Sequence, residues 1–280
     1  MRLAGPVEVT GPGLHGGVEA TLALRPAPDG SGPALLTPGG SVPIRALERS
    51  GRGRTTRLAH PETGTALAGA EHLLAALSGL DLWDVEIHLD GPEVPATDGS
   101  SLPLAMSLLA AAAPSPDGRR IVLEREVAVS DGPARLVASP APNTVLDVTV
   151  DFGSRFPGRQ RFVWDRLRDD FLETLAPART FGFADEVERL RARGLALGGH
   201  LGNAVVFGPD GPLNPGGLRF DDEPARHKAL DLLGDLAVLG ADLAARVVAR
   251  RPSHALNLAL VDALSARLEG GGASIRAGVS

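Results

Sequence analysis

EPARHKALDLLGDLAVL, residues 223–239, is the stretch that most constrains the fold. Its leucines recur at helical spacing, and the pattern predicts a helix that runs from Glu223 to roughly Arg250. Three polar residues, His227, Asp231 and Asp235, recur within it at intervals of four. Side chains four residues apart lie along one face of a helix, so the three form a polar stripe.

The polar stripe has two interpretations. It is either an exposed His–Asp ion pair on a solvated helix face or part of a metal site. A histidine and an aspartate four residues apart can chelate zinc together, and a third protein ligand then leaves one position for water. Four leucines flank the stripe and indicate that it is not fully solvated: Leu230, Leu233, Leu236 and Leu239.

A second helix, predicted over Gly69 to Leu80, begins with the pair Glu71 and His72. A lone histidine at such a place is usually an ordinary helix residue. The adjacent carboxylate favours another interpretation, because zinc hydrolases place a metal ligand beside a group that takes a proton from water. His72 is therefore the natural third ligand, and Glu71 is the candidate base.

His254 opens a further helix, predicted over His254 to Leu268, with Ser253 as its N-cap. A histidine at a helix end is often merely polar surface. If His254 faces the same cleft, it can stabilise a tetrahedral intermediate and give a proton to the leaving amine. Asp235 could hold it in that role.

Strand and helix patterns mix through the rest of the chain. The segment APSPDGR, residues 113–119, is rich in Pro, Asp and Gly, and a second half that begins IVLEREVAV follows it. We place a domain boundary there, between 1–118 and 119–280. The other predicted strands are PVEVT, VEATLAL, VEIHL and TVLDVTVDF, and the other predicted helices are Leu102 to Ala113 and Asp185 to Arg193.

The segment GPGLHG, residues 11–16, has the glycine spacing of a dinucleotide-binding fingerprint and follows a predicted strand. The fingerprint requires a helix to start at the third glycine, whereas the alternating segment VEATLALRP follows here. We interpret the segment as a glycine-rich turn between two strands. His15 in this turn could reach a cleft or simply cap the turn.

Composition narrows the chemistry. The 280 residues include no cysteine, which excludes disulfides, thiolate zinc sites and cysteine nucleophiles, so any metal must bind His, Asp or Glu. No serine lies in a nucleophile-elbow sequence and HExxH is absent, which leaves metal-activated water as the best chemistry. A formal net charge of -6 supplies no overall field for nucleic acid.

The amino terminus and the apolar content predict the location. MRLAGPVEVTGPG has no apolar segment behind its arginine, and the longest apolar stretch is shorter than the roughly 20 residues that span a bilayer. We expect a cytoplasmic monomer with no transmembrane segment and no nucleic-acid partner.

Eight motifs follow one another along nearly the whole chain: GPGLHGG, GAEHLLAAL, VPATDGS, ARTFGF, LALGGHLGNAVVF, LNPGGLRFDDE, HKALDLLGDL and SHALN. Their order and spacing resemble those of the UDP-3-O-acyl-N-acetylglucosamine deacetylases. The resemblance implies an α+β fold of two similar domains, each a sheet packed on helices, with the helices sandwiched between the sheets. It also implies the committed step of lipid A biosynthesis, in which the N-acetyl group of a UDP-glucosamine bearing an ester-linked 3-hydroxyacyl chain is hydrolysed to release acetate.

The same resemblance implies roles for individual residues. It places Zn²⁺ on His72, His227 and Asp231, the general base on Glu71, the charged histidine on His254 and its partner on Asp235. It also places oxyanion stabilisation on Thr180 and substrate contacts on Lys228, Phe181, Phe183, Leu14 and His15.

Two further features concern the bound substrate. Arg251 stands where many relatives carry a lysine three residues before the catalytic histidine, and arginine favours bidentate contact with phosphate. An insertion within roughly Asp185 to Phe207 is implied to form an apolar passage for the acyl chain.

Two other functions stay open. The first is a deacetylase of the same mechanism that acts on a different acylated amino sugar, which a panel of UDP-sugars would distinguish. The second is a non-catalytic, lipid-binding relative, against which the presence of every proposed ligand and the base argues.

Overall fold

The computed structural model describes residues 1–115 and 118–278, so Pro116 and Asp117 of the predicted domain boundary lie outside the described residues. Both halves of the described part contain runs of strands together with α-helices, which confirms the predicted α+β class. The division into domains at residues 118 and 119 stays a prediction.

The described part of the first half contains ten strands, two α-helices and two short 3-10 helices, Ile44–Ala46 and Arg52–Arg54. The strands are β1 (Arg2–Leu3), β2 (Val7–Pro12), β3 (Glu19–Pro26), β4 (Ala34–Thr37), β5 (Gly40–Pro43), β6 (Glu48–Ser50), β7 (Arg57–Ala59), β8 (Ala66–Ala68), β9 (Val85–Asp90) and β10 (Ala112–Ala113). The helices are α1 (Ala70–Gly79) and α2 (Leu102–Ala110). Five strands form one sheet in the order β2-β3-β9-β4-β5, β6-β7-β8 form a second sheet, and β1 pairs with β10.

The second half is built around one long strand. Its strands are β11 (Gly118–Leu123), β12 (Val127–Asp131), β13 (Ala134–Pro140), β14 (Val145–Asp151), β15 (Arg159–Asp165), β16 (Phe181–Phe183), β17 (Val205–Phe207), β18 (Asp242–Arg250) and β19 (Ala273–Gly278). Its helices are α3 (Phe171–Thr174), α4 (Ala184–Arg191), α5 (Glu223–Ala237) and α6 (His254–Glu269). β18 pairs antiparallel with β13 and parallel with β11 and β14.

The prediction of one helix from Glu223 to roughly Arg250 is wrong beyond Ala237. The chain turns at Gly240, whose φ of 77° lies in the left-handed region, and residues 242–250 form β18. In β18 the residues at 243, 245, 247 and 249 are buried, whereas Arg246 and Arg250 are exposed. So short an apolar stretch can be read as either a helix or a strand from periodicity alone. The other four predicted helices are present, with ends shifted by up to three residues.

The glycine-rich turn was predicted correctly. β2 and β3 pair antiparallel, with Pro12 opposite Glu19, and the segment between them contains no helix. The glycines of GPGLHG therefore do not lead into the dipole of a helix, which a dinucleotide fingerprint requires.

Helices α1 and α5, one from each half, approach each other closely. A Cβ atom added at Gly234 of α5 would lie 1.9 Å from the carbonyl oxygen of Glu71 in α1, so only glycine allows this contact. Buried leucines of both helices, including Leu73 and Leu230, belong to one hydrophobic core. The crossing of α1 and α5 thus brings together the polar residues that each helix carries.

The described ranges 1–115 and 118–278 contain no helix with the length and apolar character needed to cross a membrane.

Candidate active site

His72, His227 and Asp231 bring three potential metal ligands together where α1 meets α5. Asp231 Oδ1 lies 3.6 Å from His72 Nε2 and 3.3 Å from His227 Nε2. One ligand atom from each residue lies within 4.8 Å of the others. Two imidazoles and one carboxylate form a donor set that suits zinc and leaves a fourth position open.

Two of the three residues, His227 and Asp231, are held in the forms that bind a metal. Burial lowers the pKa of His227 to about 3, so its ring is neutral, and its Nδ1 lies 3.1 Å from the carbonyl oxygen of Ala178. That contact leaves Nε2 turned toward Asp231. Burial opposes ionisation of Asp231, but the positive charges of Lys228 and His254 hold its pKa well below the usual range.

One buried oxygen of Asp231 has no hydrogen-bond donor, and this shows that the three ligands fit a cation. Asp231 Oδ1 is buried and lacks a hydrogen-bond partner, whereas Oδ2 accepts a hydrogen bond of 2.6 Å from Lys228 Nζ. Buried polar atoms are normally satisfied, so an isolated acceptor facing two imidazole nitrogens needs a partner. A divalent cation would satisfy all three atoms, and the residues therefore fit the metal that the sequence implies.

The carboxylate of Glu71 is held beside the three ligands by two threonines. Thr55 Oγ1 donates to Glu71 Oε1 at 2.9 Å, and the backbone amide of Thr56 donates to Oε2 at 3.0 Å. Glu71 is only 7% exposed, yet it lines the cavity. The two donors fix its orientation while one face of the carboxylate stays accessible from the cavity.

His254 is oriented by Asp235, which lies beneath it in the protein interior. His254 Nδ1 is 2.9 Å from Asp235 Oδ2, and Asn257 Nδ2 donates to the same oxygen at 2.8 Å. Thr56 Oγ1 donates to Asp235 Oδ1 at 2.5 Å, so every oxygen of this fully buried carboxylate is satisfied. Thr56 therefore contacts two of the three carboxylates of the site, Glu71 through its amide and Asp235 through its hydroxyl.

The charged form of His254 is stabilised. Burial acts to lower its pKa, but Asp235, Asp231 and Glu71 together raise it to about 9. His254 Nε2 lies 3.6 Å from Asp231 Oδ2 and 3.9 Å from Glu71 Oε1. A protonated imidazole therefore points from the buried side of the site toward the cavity.

These residues border a cavity of about 830 Å³ that extends between the two halves of the chain. Thr180 lies at its wall, where its backbone amide donates to Gly99 O at 2.7 Å. The ring of Phe181 lies 6.0 Å from the ring of His227 and 5.7 Å from Lys228 Nζ. Further predicted substrate contacts in the lining are Phe183, Leu14 and His15.

The predicted insertion and Arg251 lie in different positions relative to this cavity. Helix α4 and the segment that follows it contribute Leu190, Ala196 and Leu201 to the lining. Within the described ranges the lining does not include Arg251, whose Nη2 instead donates to Asp151 Oδ2 at 2.9 Å. The proposed contact of Arg251 with phosphate stays a prediction.

Sequence reasoning missed the residues that hold the others in place. Thr55, Thr56 and Glu93 come from segments with no pattern that marks them, and the structure shows their contacts. Asn257 was within reach of sequence reasoning, because it lies one helical turn after His254 and on the same side of α6.

Comparison with known proteins finds relatives over most of the chain. The family model described as LpxC, UDP-3-O-acyl N-acetylglycosamine deacetylase, matches residues 1–266. A UDP-3-O-acyl-N-acetylglucosamine deacetylase from Myxococcus xanthus (strain DK1622) is 38% identical over 255 residues, which cover 90% of this chain and 81% of the relative. Proteins of the same name from an Anaeromyxobacter species and a Synechocystis species are 40% and 38% identical, covering 91% and 93% of this chain and 84% and 96% of theirs.

Proposed function

This chain belongs to the UDP-3-O-acyl-N-acetylglucosamine deacetylase family, and we propose that it hydrolyses the N-acetyl group of UDP-3-O-(3-hydroxyacyl)-N-acetylglucosamine with zinc as cofactor. Acetate and the free amine are the products. The proposal includes the committed step of lipid A biosynthesis, carried out by a cytoplasmic monomer. One observation carries it: the group formed by half-buried His72 and buried His227 and Asp231 borders the same cavity as a held carboxylate and a charged histidine.

The metal and the base have complementary tasks. When bound by His72, His227 and Asp231, zinc supplies Lewis acidity, which makes water nucleophilic near neutral pH and polarises the amide carbonyl. Glu71 accepts the proton of the attacking water, since its carboxylate is held by Thr55 and Thr56 and faces the cavity. Attack at the carbonyl carbon produces a tetrahedral intermediate that carries an oxyanion.

The charged histidine acts after the attack. Protonated His254 lies 3.6 Å from Asp231 and borders the cavity, so it stabilises the oxyanion electrostatically, together with the hydroxyl of Thr180. His254 then gives its proton to the departing amine. Asp235 keeps the imidazole oriented through Nδ1 and stabilises its positive charge.

The cavity has the composition and size that this substrate requires. Its volume of about 830 Å³ lies within the range of ligand sites, which is about 300–1,000 Å³. Phe181 offers an apolar face to the sugar with the Lys228 cation beside it, and Phe183 also lines the cavity. The aliphatic residues Leu190 and Leu201 line the part formed by the insertion, where we place the acyl chain.

The proposal is tested by measuring bound zinc together with acetate release from a UDP-3-O-acyl-N-acetylglucosamine. We expect one zinc per chain, loss of acetate release with a chelator, and recovery when zinc is added back. A panel of UDP-sugars with different acyl groups identifies the substrate. Failure on every UDP-linked sugar by a zinc-loaded protein would refute the proposed substrate and favour a different acylated amino sugar.

A further inference from the structure

The glycine-rich turn at residues 13–17 encloses a carboxylate of the protein itself. The amide of His15 lies 3.1 and 2.9 Å from the two carboxylate oxygens of Glu93, and the amide of Gly16 donates to Oε2 at 3.0 Å. Glu93 is buried, and its hydrogen-bond donors in the described part of the chain are backbone amides rather than cations. Convergent backbone N–H groups of this kind bind anions. The turn that has the glycine spacing of a phosphate-binding loop therefore binds Glu93.

The opposite side of this turn is joined to the second half of the chain. The amide of Leu197 donates to His15 O at 2.9 Å, and the amide of Gly198 donates to Leu14 O at 3.1 Å. Leu14 and His15 line the cavity from the first half, and Ala196 lines it beside the bonded loop. We call Glu93, the turn at 13–17 and the loop at 197–198 the clasp.

Glycines allow the close packing of the clasp. A Cβ atom on Gly198 would lie 2.2 Å from Gly13 O, and one on Gly13 would lie 2.5 Å from Glu93 Oε2. Gly17 has a φ of 65°, and a Cβ atom there would lie 3.1 Å from the amide nitrogen of Gly198. Gly13, Gly17 and Gly198 are thus required by close contacts within the clasp. These contacts are between parts of the protein and involve no ligand.

We infer that Glu93 is a positioning residue that, through the clasp, sets the cavity wall against which the acyl chain of the substrate lies. The inference rests on the proposed function. Residues 192–204 form no helix or strand, and the two bonds to the turn join this part of the wall to the first half of the chain. The carboxylate of Glu93 holds the turn, because without it the backbone amides of His15 and Gly16 would have no hydrogen-bond acceptor. Loosening the clasp should weaken binding of a long acyl chain while the chemical step continues.

Two variants and a matched control test the clasp. Gly198→Ala forces the loop away from the turn and leaves Glu93 intact, whereas Glu93→Gln removes the charge and one acceptor. Gly216→Ala is the control, because it makes the same change in another loop of the second half, where a Cβ atom would meet open space. If Glu93→Gln fails to fold, Gly198→Ala still carries the test.

The first readout does not depend on activity. We expect the amides of residues 197 and 198 to be protected from hydrogen exchange in the wild type and to exchange at least about tenfold faster in both variants. The control should exchange like the wild type. Unchanged protection at these amides in both variants would overturn the inference.

The second readout is how KM and kcat for acetate release depend on the length of the substrate's acyl chain. With a 3-O-(3-hydroxymyristoyl) substrate, we expect KM for acetate release to rise about tenfold in both variants, whereas kcat with a 3-O-acetyl substrate changes less than about twofold. Equal losses with both substrates would overturn the inference and leave the proposed function standing. Protected amides in a zinc-loaded wild type that releases no acetate would instead refute the proposed function.

Discussion

Replacing Gly234 by alanine tests whether the contact between α1 and α5 builds the metal site. An added Cβ atom would lie 1.9 Å from the carbonyl oxygen of Glu71 and 2.8 Å from its carbonyl carbon. Ordinary contacts of a Cβ atom begin at 3.4 Å, so the two backbones must move about 1.5 Å apart at this point. Neither atom belongs to a flexible side chain that could move aside.

This displacement separates the metal ligands into two groups. His72 belongs to α1, whereas His227 and Asp231 belong to α5. Metal–ligand distances tolerate deviations of about 0.2 Å, and a misplacement of about 1 Å in an active site costs about a hundredfold in rate. We therefore expect Gly234→Ala to lose most of its bound zinc in competition with a weak chelator, and kcat/KM for acetate release to fall at least about a hundredfold.

Stability distinguishes this explanation from a local effect on the helix. In a helix without close neighbours, glycine to alanine stabilises by about 1 kcal/mol. Overpacking in the interior costs about 1–3 kcal/mol, and the short contact at Gly234 places this variant at the upper end. Subtracting the gain in the helix from this cost, we expect the free energy of unfolding of the metal-free protein to fall by about 2 kcal/mol in urea denaturation. A variant that is more stable than the wild type and keeps its zinc would refute the reasoning.

Three further predictions concern individual residues of the site. Glu71→Gln should keep its zinc but lose most acetate release, because the amide cannot accept the proton of water; wild-type turnover in this variant would remove Glu71 from the role of base. His72→Ala should lose zinc affinity, since two ligands form a poor site, and unchanged zinc content in elemental analysis would contradict the ligand set. Activity that depends on protonated His254 should fall as the pH rises through its raised pKa, which is about 9, and Asp235→Asn removes a partner that raises this pKa. The alkaline limb of the pH–rate profile should therefore shift to lower pH in Asp235→Asn, and an unshifted limb would show that His254 is not the titrating group.

The helical part of the site was predictable because its spacing is local. The polar stripe repeats every fourth residue within one helix, and Glu71 and His72 are adjacent, so neither pattern needs knowledge of the rest of the fold. The end of α5 was not predictable in this way. Residues 242–250 form a strand because they pair with β13 and β14, and those strands lie more than ninety residues away in sequence.

The supporting contacts could not be predicted because they join distant segments. Thr56 and Asp235 are separated by 179 positions, and Glu93 and His15 by 78. A threonine or glutamate that is not part of a helical or strand pattern cannot be recognised from the sequence as a supporting residue, since its role depends on which segments the fold brings together. The glycine-rich turn illustrates this point: its glycines were visible in sequence, but the anion that they surround was not.

The charges around the site give a physical reason for a cation at His72, His227 and Asp231. Three carboxylate groups, those of Glu71, Asp231 and Asp235, lie close to one another and are nearly or fully buried, whereas Lys228 and protonated His254 supply two positive charges. Buried charge without compensation is costly, so this excess of negative charge favours binding of a divalent cation. The cation reverses the balance and leaves the site with a net positive charge. A net positive charge stabilises the oxyanion that develops during amide hydrolysis. The same buried carboxylates that favour binding of the metal therefore produce a site that stabilises the tetrahedral intermediate.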